Sequence, residues 1–325
     1  MRKIYFLLLC VVFCWGFTFN WGFFAHKKIN RLAVYSLPPE MLIFFKRHIQ
    51  FITENAVNPD RRRYAVKEEA PRHYIDLEAY GDSAIYNLPR NWEDAVVKYS
   101  QDTLYEYGIV PWYIMEMKQK LTKAFRYKNS KGILRISADI GHYIADANVP
   151  LHTTINYNGQ MTGQRGIHGF WESRLPELYS HQYDFFVGKA QYLEDPQTMI
   201  WRAVTQAHLA VDSVLSLERE LEKKFSSEKK FSFEQRGATT VKVYSKEYSK
   251  AYRQMLKGQV ERQMRMAVKM VTDFWYTCWI DAGQPSLLEL VDIKFSEQQL
   301  EEFERQKEQW RQGRIKSRSH EANEL

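Results

Sequence analysis

Cysteine is scarce in this chain of 325 residues, which has three. Cys10 and Cys14 lie in the first twenty residues, so the remainder holds Cys278 alone. No intramolecular disulfide can form there, and stability has to come from burial or from bound metal. Long apolar runs are scarce too. The run from Ile4 to Phe19 is too short, and too near the terminus, for a good membrane span. Alternating strand-and-turn patterns are absent, which argues against a sizeable sheet, and no internal repeat is visible. Charge of one sign is limited: the formal net charge is +7, compatible with a polyanionic partner without demanding one.

What is present begins with a leader. Arg2 and Lys3 precede the apolar run, as in a secretory signal, and no lipoprotein cleavage pattern surrounds Cys10 or Cys14. Export is therefore expected, to the periplasm or the medium. The expected divisions are a signal at 1–20, a functional domain at 21–294 and a charged tail at 295–325. Cleavage before Trp21 leaves 305 residues with 44 basic and 39 acidic side chains, a charge of +5. It would also expose the Trp21 α-amine, whose pKa of ~8 lets a metal displace its proton. That amine and the Trp21 carbonyl could chelate one cation, with His26 as a third arm. The cut would follow Thr18-Phe19-Asn20, where Asn20 is not a small residue. A cut after Gly16 fits the small-residue rule better and leaves four residues ahead of Trp21.

Helical periodicity runs through most of the chain: 26–37, 40–56, 92–107, 111–128, 131–147, 169–178, 196–224 and 245–277. Pro38-Pro39 marks a helix start and Asn148-Val149-Pro150 a stop. The stretch 226–242 reads as a polar connection. The fold expected is all-α, a single multi-helix domain.

Five of the nine histidines are spaced among acids. His26 is followed by Asp60, then by His73-Tyr74-Ile75-Asp76, His142-x3-Asp146, Pro150-Leu151-His152 and His168-x3-Glu172. Residues four apart share a helix face, so His142 with Asp146, and His168 with Glu172, can each hold one ion. Ala138, Gly141 and Ala145 would let a neighbouring backbone approach that helix, while Ile133, Ile136, Ile140 and Ile144 run along another side. Imidazole and carboxylate without thiolate suits hydrolytic rather than structural zinc. His48, His181, His208 and His320 have no such pattern and read as surface or satisfied core residues.

These motifs resemble those of the zinc-dependent phospholipases C and the single-strand-specific zinc nucleases. The likeness covers Trp21 to about Leu178 and rests on the Trp-x4-His opening, His142-x3-Asp146-x5-His152 and His168-x3-Glu172. It implies a cleft with three Zn2+ ions. One takes Asp60, His73, His142 and Asp146. The second takes His152, His168 and Glu172. The third takes Trp21 and His26, bridged by Asp146. It implies a metal-held hydroxide attacking a phosphodiester, with Asp60 and Asp146 as catalytic groups and Asp60 orienting or deprotonating water. Arg63 stands where related nucleases place a phosphate-contacting base; a solvated basic turn at Arg61-Arg62-Arg63 is the other reading. Tyr74, Tyr143, Tyr157, Phe170 and Trp171 are candidate walls for a base or a head group, Tyr74 and Tyr143 foremost. The short Trp-x4-His spacing and positive charge lean to single-stranded nucleic acid. Glu172 in place of Asp, the short loop from His152 to His168 and the lack of disulfides lean to phospholipid. A zinc-stabilised binding protein without turnover is the third alternative.

Overall fold

The computed structural model describes residues 23–236, 239–292 and a few positions between 297 and 308. The leader, Trp21 and most of the charged tail lie outside the described residues. The chain is predominantly helical, with a two-stranded antiparallel sheet as the one sheet among the described residues.

Helices Val110–Arg126, Ser130–Asp146 and Gln259–Asp281 pack on one another, and the last two pack on the N-terminal helix Phe23–Ala33. Each carries an apolar stripe at helical spacing, and the stripes meet in a core containing Ile29, Phe45, Phe125, Ile140, Ile144 and Trp275. The Ser130–Asp146 helix is covered on both sides. Asn129 caps its start by accepting from the Gly132 N–H, and Asn148-Val149-Pro150 follows its end. On its small-residue side, Asn30 donates to the Ala138 carbonyl at 2.9 Å. Gly141 makes that approach possible, since a Cβ there would stand 2.1 Å from Asn30 Oδ1. The N-terminal helix is thereby held close to the helix that carries His142 and Asp146.

Several long periodic stretches are broken into two helices. The 40–56 stretch divides at His48 into Pro39–Arg47 and Ile49–Asn55. The 92–107 stretch divides at Ser100, whose φ is +66° and whose hydroxyl accepts from the Thr103 N–H. Ala210 separates Pro196–Leu209 from Val211–Glu222. Gly258, with φ +76°, separates Lys246–Met255 from Gln259–Asp281. Periodicity survives a break of one to three residues, so it cannot reveal these bends.

The expected polar connection at 226–242 is corrected. It holds a short helix, Ser227–Lys230, and a hairpin of strands Phe231–Arg236 and Thr239–Tyr244. Phe231 and Phe233 alternate with Ser232 and Glu234, and Val241 and Val243 with Lys242, a period of two that marks a strand pair. Arg174 ties the hairpin down through a forked ion pair with Glu234.

Candidate metal centre

Six short segments deliver the acid and imidazole groups. The N-terminal helix contributes His26, and the turn Asn58–Arg62, started by Pro59, contributes Asp60. His73 ends the 3-10 turn Lys67–His73. His142 and Asp146 share a face of Ser130–Asp146, one turn apart. His152 ends the turn Pro150–His152. His168 and Glu172 lie four apart across a π-helical turn at Phe170–Arg174, a local distortion found often at functional sites. Backbone pairing aligns two segments, because the Ile75 N–H donates to the His152 carbonyl at 2.9 Å.

Three groups of donors result, each with its atoms within 4.8 Å of one another: Asp60, His73 and His142; His26, His142 and Asp146; His152, His168 and Glu172. Each group could hold a metal ion. His142 Nε2 is 3.0 Å from His73 Nδ1 and 3.2 Å from Asp146 Oδ2. His73 Nδ1 is 2.9 Å from the same Oδ2. His168 Nε2 is 3.2 Å from His152 Nε2 and 2.7 Å from Glu172 Oε2. Ligands ~2.0–2.1 Å from a tetrahedral ion stand ~3.3 Å apart, and these separations are close to that spacing.

The tautomers point the same way. His142 Nδ1 is 2.9 Å from the Ala56 carbonyl, His152 Nδ1 is 2.5 Å from the His73 carbonyl, and His168 Nδ1 is 3.1 Å from the Tyr157 carbonyl. A carbonyl only accepts, so each Nδ1 carries the proton and donates. The three Nε2 lone pairs are left facing inward, toward one another and the carboxylates. Backbone acceptors behind ligating imidazoles are the usual means of fixing such rings. His73 is reversed and presents Nδ1 to the group. Asp146 Oδ1 is buried without a hydrogen-bond partner, an arrangement costly for a carboxylate oxygen unless a cation meets it.

Electrostatics follow from this crowding. Burial opposes ionisation of Asp146, yet His142, His152 and His73 hold its carboxyl well below the usual range. Burial also opposes ionisation of Glu172, and its close contacts with the His152, His168 and His26 imidazoles hold it well below that range. Burial lowers His142, against the pull of Asp146. Burial works against charge on His26 as well, but the Glu172 hydrogen bond and the carboxylates of Asp146, Glu172 and Asp60 outweigh it and raise its pKa to about 9.

Asp60 is the most open of the three carboxylates, with 13% of its side chain exposed against 1% for Asp146. His168 is the most open of the imidazoles at 22%, so solvent reaches the donor groups at Asp60 and at His168. Arg63 lies beside Asp60, with its guanidinium 4.0 Å away.

The aromatic candidates are placed differently from one another. Tyr74 is buried, and its hydroxyl donates to the Glu106 carbonyl. Tyr143 is fully buried, with its hydroxyl on Glu69. Phe170 stacks on Tyr244 in the core, and Trp171 donates to Gln259. Tyr157 is half-buried and meets His168 edge-on at 6.2 Å. Glu69 is the group that sequence reading passed over. It is fully buried beside His73, and its signal was its position four residues before His73, the same spacing that marked His142 and Asp146.

Compared with known families and with curated proteins, the chain matches no family model and no curated protein. Among the described residues no helix is long and apolar enough to cross a membrane.

Proposed function

We propose that this chain is an exported zinc-dependent phosphodiesterase, with single-stranded nucleic acid as its preferred substrate. One observation carries the reading: eight imidazole and carboxylate side chains from six segments meet, with three imidazole rings turned by backbone carbonyls so that their lone pairs face inward. The donor set fits zinc, since it is nitrogen and carboxylate oxygen without thiolate. Asp60, His73, His142 and Asp146 would hold one ion and His152, His168 and Glu172 a second. His26 with the Trp21 amine and carbonyl would hold a third, which Asp146 links to the first. When bound, such ions supply Lewis acidity toward a phosphoryl group and bring the pKa of a water toward ~7.

The chain's own groups do the rest. Asp60, the most open of the three carboxylates, accepts a hydrogen bond from the attacking water and then its proton. Arg63 meets a non-bridging phosphate oxygen from the same side. His26, Asp146 and Glu172 are buried and serve as holders. Tyr157 is the aromatic surface for a base next to the opening, where stacking contributes ~1–3 kcal/mol.

Hydrolysis of bis(p-nitrophenyl) phosphate that is abolished by a chelator and restored by zinc is the expected result. Metal uptake without turnover would instead favour a zinc-stabilised binding protein. Single-stranded DNA offered against phosphatidylcholine vesicles then separates nuclease from phospholipase C, and faster cleavage of the lipid would overturn the nucleic-acid preference.

A further inference from the structure

Behind His73, on the side away from the metal donors, lies a buried polar network with no place in the chemistry above. Glu69 is fully buried and accepts from three side chains: the Tyr143 hydroxyl, Arg72 at 2.7 Å and Arg62 at 3.4 Å. Arg62 in turn pairs with Asp139 at 3.1 Å. Two guanidiniums therefore face two carboxylates, and the network is balanced in charge. Burial alone would push the Glu69 carboxyl up, but His73, Arg62 and Tyr143 hold it far below the ordinary range.

A carboxylate buried this deeply is costly to desolvate, and packing alone does not call for one. Its position suggests what it does. Glu69 Oε1 lies 3.7 Å from His73 Nε2, a nitrogen that is buried and has no hydrogen-bond partner. His73 turns its other nitrogen, Nδ1, to His142 and Asp146. The proton of a neutral His73 ring thus belongs on Nε2, facing Glu69. His142, His152 and His168 have the opposite tautomer, enforced by carbonyls. Glu69 stands behind the one reversed ring as the carbonyls stand behind the others, at 3.7 Å rather than 2.5–3.1 Å. Tyr143, packed edge-on to His73 at 5.4 Å between ring centres, fixes both the ring and the carboxylate.

We propose that Glu69 is a positioning residue: it holds His73 in the Nε2–H tautomer so that Nδ1 is the metal donor, and Tyr143 and Arg72 hold Glu69 for that task. This rests on the metal-centre reading and adds a group outside the donor set. A carboxylate behind a ligating imidazole also raises the basicity of the donor nitrogen, and losing such a partner typically weakens metal binding ~10–100-fold.

The test uses the full chain loaded with zinc, with metal release followed by a chromogenic chelator. In long-range 1H–15N spectra His73 should be protonated at Nε2, and His142, His152 and His168 at Nδ1. Glu69→Gln should release one zinc ~10–100-fold faster and leave the others at the wild-type rate. General destabilisation would speed the loss of all of them. Tyr143→Phe keeps the carboxylate and the ring but frees one of its anchors, and should show a smaller effect on the same ion. A wild-type chain that takes up no zinc overturns the metal centre and this inference together. Zinc uptake with His73 protonated at Nδ1, or with E69Q matching wild type at every ion, overturns the role of Glu69 and leaves the centre standing.

Discussion

Asp146 and Glu172 each turn one carboxylate oxygen on the same imidazole nitrogen: Oδ1 of Asp146 is 3.3 Å, and Oε1 of Glu172 3.2 Å, from His26 Nε2. Their other oxygens face different partners, Oδ2 of Asp146 toward His73 and His142 and Oε2 of Glu172 toward His152 and His168. Both carboxylates therefore span two groups of donors. The resemblance assigned bridging to Asp146 alone, so Glu172 in this second role is an addition from the geometry.

A difference in mutant severity follows. Asp146→Asn and Glu172→Gln each disturb two groups of donors, whereas His26→Ala disturbs one. The two carboxylate variants should lose phosphodiesterase activity by more than the ~10–100-fold typical of outer-shell partners, and should retain fewer metal ions than H26A. Metal content by atomic spectrometry, measured beside turnover, checks this. Equal content in D146N and H26A would remove the bridging role.

Gly141 offers a test of how the third group is assembled. Alanine there would place its Cβ 2.1 Å from Asn30 Oδ1, and Asn30 is fully buried and bonded to Ala138. The N-terminal helix would have to shift outward, and His26 is one turn from Asn30 on it. Overpacking of this kind costs ~1–3 kcal/mol. G141A should lower the melting temperature by several degrees and weaken the ion nearest His26 more than the pair His152 and His168. An unchanged melting temperature would mean that the two helices are less tightly set than Asn30 implies.

The donor residues were legible because their chemistry survives in local spacing. His142-x3-Asp146 and His168-x3-Glu172 are i,i+4 pairs, and helical geometry turns that spacing into a shared face. That His26, Asp60 and His73 join them depends on packing between segments far apart in the chain, which spacing does not encode. Arg62 and Asp139, paired across 77 positions, were illegible for that reason. Glu69 was legible in principle, but its turn contains Pro71, which hides a helical register. The hairpin was read as a connection because Ser, Glu, Lys and Thr dominate its composition while its alternation is short. Tyr143 looked available for a substrate because it neighbours His142 in sequence, but adjacent residues on a helix point about 100° apart, and Tyr143 points into the core.

The N-terminus bears on the third group directly. Only a terminal amine has a lone pair free for a metal, so the chain beginning at Trp21 should hold one more ion than a chain with a tag fused ahead of it. Intact mass of the exported form, with zinc counted on both forms, measures this. An exported chain that starts at Phe17 and binds the same number of ions as one starting at Trp21 would exclude the amine as a donor.

Stability against pH should change sign with metal. In the chelator-stripped protein His26 has its pKa raised from 6.5 to about 9, since the Glu172 hydrogen bond and nearby carboxylates outweigh burial. A raised folded-state pKa stabilises the fold below the unfolded value and loses that stabilisation as pH climbs through the folded one. The stripped protein should therefore have this stabilisation in full below about pH 6.5 and lose it between about 6.5 and 9. Zinc requires the deprotonated imidazole and so competes with that proton. The loaded protein should gain stability over the same interval, as protons cease to displace the ions. Denaturant midpoints of both forms at pH 6, 7.5 and 9 would show the two trends crossing. A stripped protein whose midpoint rises over this range would mean that His26 is not held protonated by Asp146 and Glu172.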